Sequence, residues 1–124
     1  MPFMNIEHSK AYSVFVVSYR PELEQEYTIP FAVFLYTDKG VFYSKRSDDW
    51  DTLLALDPNA DTKLLSEILD EMEAQSRQNR ELLHRSSEWS NSIEVTFSTL
   101  TSAASPEIVL QEMLDALRAR FACS

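Results

Sequence analysis

Two stretches near the start of this 124-residue chain are apolar on both faces, and this constrains its fold more than any other feature. Successive side chains of a strand point to opposite faces. In residues 11–19, Tyr12, Val14 and Val16 point one way while Phe15, Val17 and Tyr19 point the other. In residues 27–37, Phe31, Val33 and Leu35 oppose Ala32, Phe34 and Tyr36. A sheet with one wet face alternates apolar and polar residues, so these two strands require cover on both sides.

Both stretches are rich in β-branched and aromatic residues, which suit a pleated surface. Arg20-Pro21-Glu22 separates them. Pro30 has no amide hydrogen, so it belongs at the start of the second strand or at a bulge. Thr37-Asp38-Lys39-Gly40 reads as a hairpin turn, with the chain's one glycine where positive φ is wanted. Val41 to Arg46 returns as a third strand, completing an antiparallel meander.

The period then becomes helical. Ser47-Asp48-Asp49 is a helix-start signal before Trp50, Leu53 and Leu54, and Asp57-Pro58 ends that short helix. Asp61 or Thr62 can cap the next, whose apolar face is Leu64, Leu65, Ile68, Leu69 and Met72. The face fades over 75–80 and resumes at Leu82 and Leu83, so one frayed or bent helix is expected. A polar loop around Trp89 follows. Ile93, Val95 and Phe97 alternate with Glu94, Thr96 and Ser98, which predicts a strand with one wet face. Ser105-Pro106-Glu107 opens a last helix lined by Leu110, Met113, Leu114, Leu117 and Phe121. The order β-β-β-α-α-β-α is that of an α+β domain with a mostly antiparallel sheet and helices packed on it. Residues 1–124 read as a single domain, with 1–10 a loose arm.

Cover for the sheet decides what such a domain needs. The last helix and the apolar half of the central one suffice for one face. The short Trp50 helix and the thinly apolar 75–85 stretch leave the other face short. A homodimer or a protein partner is therefore expected to close a patch of several hundred Å².

Composition excludes several functions. An average chain of this length carries about nine glycines; this one has Gly40 alone. Phosphate-cradling loops need several, so dinucleotide and P-loop sites are not expected. A single cysteine, Cys123, makes neither an internal disulfide nor a thiolate zinc site. No run nears the length of a membrane span. Met1 to Lys10 lacks an apolar signal core, so a cytoplasmic location is expected.

The net charge of −9 disfavours direct binding to nucleic acid. Nine acids between Asp48 and Glu73 face one base, Lys63, so this segment holds nearly all of the excess. It reads either as a solvated helix face or as a patch that meets a basic partner. Asp48, Asp49 and Asp51 ring Trp50, an arrangement suited to anchoring an arginine-rich partner; the plainer reading tucks Trp50 into the core.

Other constellations are weaker. Asp57-Pro58-Asn59-Ala60-Asp61 has the spacing that opens a calcium loop, but Thr62 and Ile68 stand where glycine and a bidentate glutamate are needed. His84 lies near Glu81, Arg85 and Glu88, and Glu22, Glu24 and Glu26 alternate beside Arg20. Either group could supply acid–base chemistry, but the plainer reading of both is solvated surface. No serine sits in a nucleophile elbow. No catalytic residue, metal or cofactor is assigned.

Several short motifs occur in family order. Tyr12-Ser13-Val14 opens the first strand and Pro21 turns it. Glu26-Tyr27 leads into Phe31–Leu35, and Leu56-Asp57-Pro58-Asn59-Ala60-Asp61 precedes the central helix. Trp89, the 93–97 strand and the Pro106–Phe121 helix follow. In these the chain resembles the small bacterial and phage proteins of the domain-of-unknown-function 3037 family. It departs from them at Thr28-Ile29-Pro30-Phe31, where the family has an Asn-x-Gly step, and at Val16, where the family has arginine. The resemblance implies a partner or regulatory role beside a kinase-like toxin, in a toxin–antitoxin or phage-defence module. The expected function is thus a small acidic protein-interaction module without catalysis. An acid–base enzyme using Glu26 or His84 with a tyrosine, and an acidic nucleic-acid mimic, are the alternatives.

Calcium, zinc and nucleotides are expected to leave the melting temperature unchanged. A shift equivalent to about 3 kcal/mol at modest ligand excess overturns this reading.

Overall fold

The computed structural model describes residues 10–20, 28–47, 50–78 and 93–122. Seven elements follow in order: β1 (Lys10–Tyr19), β2 (Ile29–Thr37), β3 (Phe42–Arg46), α1 (Trp50–Leu56), α2 (Thr62–Ser76), β4 (Ile93–Ser102) and α3 (Pro106–Ala122). The four strands form one antiparallel sheet in the order β3-β2-β1-β4. This is an α+β architecture with helices on both faces. The Thr37–Gly40 turn forms as the residues dictate: the Gly40 amide donates to the Thr37 carbonyl at 2.9 Å, with φ +83°.

Each face of β1 and β2 has its own core. Phe15, Val17, Tyr19, Ala32, Phe34 and Tyr36 pack with Leu53 of α1 and with Leu65, Leu69 and Met72 of α2. Tyr12, Val14, Val33 and Leu35 pack with Val109, Leu110 and Leu114 of α3. The expected shortfall of cover over β1 and β2 is therefore corrected: Val14, Phe15, Val33 and Phe34 are all fully buried by this chain's own helices. Among the described residues, two helices share one face and α3 covers the other.

Residue pattern and structure part at three places. Phe31 joins Phe34 and Tyr36 on the α1/α2 side, not Val33 and Leu35. The cause is a bulge: Val17 pairs with Ala32 but Ser18 pairs with Pro30, so Phe31 is the extra residue. Pro30 sits beside that bulge at the head of β2, where its missing amide is tolerated. Leu64, expected on the buried face of α2, is half exposed, because the buried stripe runs Leu65, Leu69, Met72 and Ser76. On β4 the one-wet-face pattern holds only at the start: Ile93 is buried and Val95 half-buried, but all six residues from Thr96 to Thr101 are exposed. α3 lies nearest β2 and β3. A helix about 10 Å wide covers roughly two strands 4.8 Å apart, so α3 does not reach β4. The expected continuation of the central helix past residue 78 lies outside the described residues, as does the expected 1–10 arm but for Lys10, which opens β1 and pairs with Ser102 instead of lying loose.

Three tyrosine hydroxyls fasten the helical layers to the sheet. Tyr36 donates to the Ser76 carbonyl at the end of α2 (2.5 Å) and Tyr19 to Asp57 between α1 and α2 (2.6 Å). Tyr12 donates to the Ala104 carbonyl just before α3 (2.6 Å). Each satisfies a polar group that the packing would otherwise shield from water.

Ser76 offers a local test of this bookkeeping. Its hydroxyl is buried with no hydrogen-bond partner among the described residues, while its carbonyl accepts from Tyr36. Ser76→Ala should raise stability by about 1 kcal/mol, because a shielded hydroxyl is removed. Tyr36→Phe should lower it by about 1–2 kcal/mol, because a buried carbonyl loses its donor. Denaturant titration reads both, and equal signs for the two variants defeat the assignment.

Candidate functional site

The residues proposed for partner binding fall only in part within the described structure. Trp50 begins α1 and is half-buried. Its ring lies tilted against Phe31, with centroids 6.1 Å apart, and it packs on the core between the sheet and α1/α2. The plainer expectation for Trp50 thus describes its inner edge. Asp51 follows it in the first helical turn, exposed, where a carboxylate complements the helix dipole. Asp48 and Asp49 lie outside the described residues. So do Glu22, Glu24, Glu26, His8, His84, Trp89 and Cys123, and with them both candidates for acid–base chemistry.

The fold makes use of much of the acidic segment. Asp57 accepts from the Tyr19 hydroxyl through Oδ2 and from the Asn59 amide through Oδ1 (3.2 Å). Asp61 caps α2 by accepting from the Leu64 amide at 3.0 Å. These two carboxylates, read alternatively as the opening of a calcium loop, are a turn and a cap. Asp70 and Glu73, one turn apart on α2, both receive Arg46 from the end of β3: Nη2 to Asp70 at 2.5 Å and Nε to Glu73 at 2.9 Å. Glu71 accepts from the Gln75 side chain. Asp51 and Glu67 point outward on the surface. A nucleic-acid mimic needs its acids directed at a partner rather than at the fold, and five of the seven described acids here accept bonds from their own chain.

Arg46 carries a role that the sequence pattern did not disclose. It sits where β3 hands over to the acidic segment, and it ties the outer strand to α2. Its side chain and that of Glu73 are mostly shielded, while Asp70 is mostly exposed, so water and salt screen the Asp70 half more. The hydrogen bond to Glu73 raises the Arg46 pKa above its usual value, burial opposes this, and Asp70 adds to it. Arg77 lies over the Phe42 ring, 5.2 Å from its centroid, adding a second cation at the same edge. At the other side of the sheet Arg20 meets Glu94 at 2.9 Å.

Among the described residues no group of three His, Cys, Asp or Glu side chains is placed to hold a metal ion, and no helix is long and apolar enough to cross a membrane. Comparison with family models, curated proteins and solved structures finds no match for this chain.

One titration is built into the α3 side. Burial pushes the Tyr12 phenol above its ordinary value of 10.0, and the negative charges of Asp38 and Glu107 and the nearby Tyr43 push it further. The folded protein therefore holds this proton at pH values where the unfolded chain releases it. The stabilisation is complete below pH ~10 and is lost as pH rises through the folded pKa. Stability should fall above pH ~10, and Tyr12→Phe should be less stable at neutral pH but flatter in that alkaline range. Melting curves from pH 8 to 11 check this; parallel alkaline limbs for the two proteins defeat it.

Proposed function

We propose that this chain is a protein-interaction module without catalysis, whose contact surface is the head of α1. The observation behind this reading is Trp50: half-buried, braced from within by Phe31, and followed by the exposed carboxylate of Asp51. An aromatic side chain held rigid on one edge and open on the other loses little entropy on binding, and neighbouring acids select a cationic partner. Asp48 and Asp49 precede Trp50 in the sequence and add two carboxylates to this segment. The partner chemistry this suits is an arginine- or lysine-rich protein surface. The family resemblance suggests a kinase-like toxin from the same locus as the first candidate to test, in a cytoplasmic bacterial or phage setting.

The triple variant Asp48→Asn, Asp49→Asn, Asp51→Asn should fold with a stability within about 1 kcal/mol of the parent, any lost cap aside. Binding to the partner should weaken, and its dependence on salt should flatten. Titration calorimetry at two salt concentrations measures both. An unchanged affinity in the triple variant removes the Trp50 surface from the proposal.

A further inference from the structure

The sheet as described has two margins, and they differ in kind. At β3 the margin is five residues long and carries Lys45 and Arg46, with Asp70 and Glu73 clasped onto it from α2. At β4 the margin is ten residues long and pairs with β1 in unbroken register from Lys10↔Ser102 to Tyr19↔Ile93. From Val95 to Ser105 the sequence has no charge, no glycine and no proline, in a chain of net charge −9. Outer strands that resist pairing are commonly short, bulged, charged or interrupted by proline. β4 has none of these protections beyond Glu94, which is paired with Arg20.

Both faces of the sheet carry partly exposed apolar side chains at this margin. Thr96, Ser98 and Leu100 lie opposite Val16, Val14 and Tyr12, on the α3 side, and Leu100 is 37% exposed. Phe97, Thr99 and Thr101 lie opposite Phe15, Ser13 and Ala11, on the α1/α2 side. Phe97 packs on Phe15, with centroids 5.0 Å apart, yet keeps 48% of its surface exposed.

We propose that two copies of this chain pair antiparallel along β4, joining their sheets into one of eight strands about a twofold axis normal to the sheet. Charge selects this occupant. A basic partner finds nothing to recognise on an uncharged strip, whereas a second copy presents the same strip. The like charges of the two copies are also kept apart. The Arg46–Asp70–Glu73 clusters sit at β3, so in the joined sheet they are seven strand spacings apart, about 30 Å, several times the screening length at physiological salt. A junction made through β3 would instead bring the two acidic clusters together.

Parity adds a check. Paired residues in an antiparallel ladder point to the same face, so like faces stay together only if odd residues meet odd ones. Phe97 and Leu100 then become covered on opposite faces of the joint sheet. This self-pairing uses different residues from the Trp50 surface and stands or falls separately from it.

Size exclusion with light scattering at about 100 μM, well above a low-micromolar Kd, should report twice the 14.3 kDa chain mass. The Thr99→Lys, Thr101→Lys double variant should run as a monomer with an unchanged circular-dichroism spectrum. Spin labels in a Cys123→Ser background read the geometry of the folded protein directly. Labels at Thr99→Cys should lie under about 20 Å apart across the dimer, and labels at Lys45→Cys about 30 Å or more. A monomeric wild type overturns the proposal, as does a dimer that withstands the lysines or brings the Lys45 labels closer than those at Thr99.

Discussion

A two-stranded ribbon that is apolar on both sides cannot rest in water, and everything else in this molecule answers to that. Val14 and Phe15, neighbours in β1, are both fully buried, one under α3 and the other under α1 and α2. A single chain of this length achieves both by spending its helices unequally. The longer buried row, enlarged by the bulge that turns Phe31 inward, takes two helices. The shorter row takes one. Because the helical layers are this narrow, the cover is centred on β1 and β2 and thins at β4.

Burying a sheet on both sides creates a second demand: the polar ends of the covering helices must be satisfied where water is scarce. Tyrosine meets it, since its ring belongs to the apolar layer and its hydroxyl reaches past it. Tyr12, Tyr19 and Tyr36 stand on β1 and β2 and each donates to a group at a helix end or a helix junction. Arg46 performs the corresponding task at the outer strand, with two carboxylates of α2. The strongly acidic segment is thereby partly drawn into structure: a turn at Asp57, a cap at Asp61, a clasp at Asp70 and Glu73. Two of its acids, Asp70 and Glu73, meet the β3 margin, while β4 from Val95 onward carries no charge.

The proposed interaction role draws on two of these features. Trp50 offers a braced aromatic edge beside Asp51, and β4 offers a strand that is uncharged from Val95 onward. The two surfaces ask for different partners, one cationic and one strand-forming, and would allow this protein to assemble with itself while engaging another protein.

Local patterns were enough to reveal the elements. The β-branched and aromatic runs at 11–19 and 31–36, the Thr37–Gly40 turn, the Asp61 cap and the Pro106 start all follow from side-chain chemistry and backbone preference, which act within a few residues. Pro30 likewise announced a strand start or bulge, because its missing amide is a local fact. Phe31 did not announce its face, since the bulge that turns it exists only against Ser18 on another strand. The Arg46 clasp and the tyrosine ties were silent for the same reason: they join residues separated in sequence by 24 to 92 positions. Of the site, the sequence alone determined that Trp50 stands among acids. Tertiary structure decided that Phe31 braces it, which acids the fold consumes, and that cover stops short of β4, because the reach of a helix across a sheet is a property of layers and not of any segment within them.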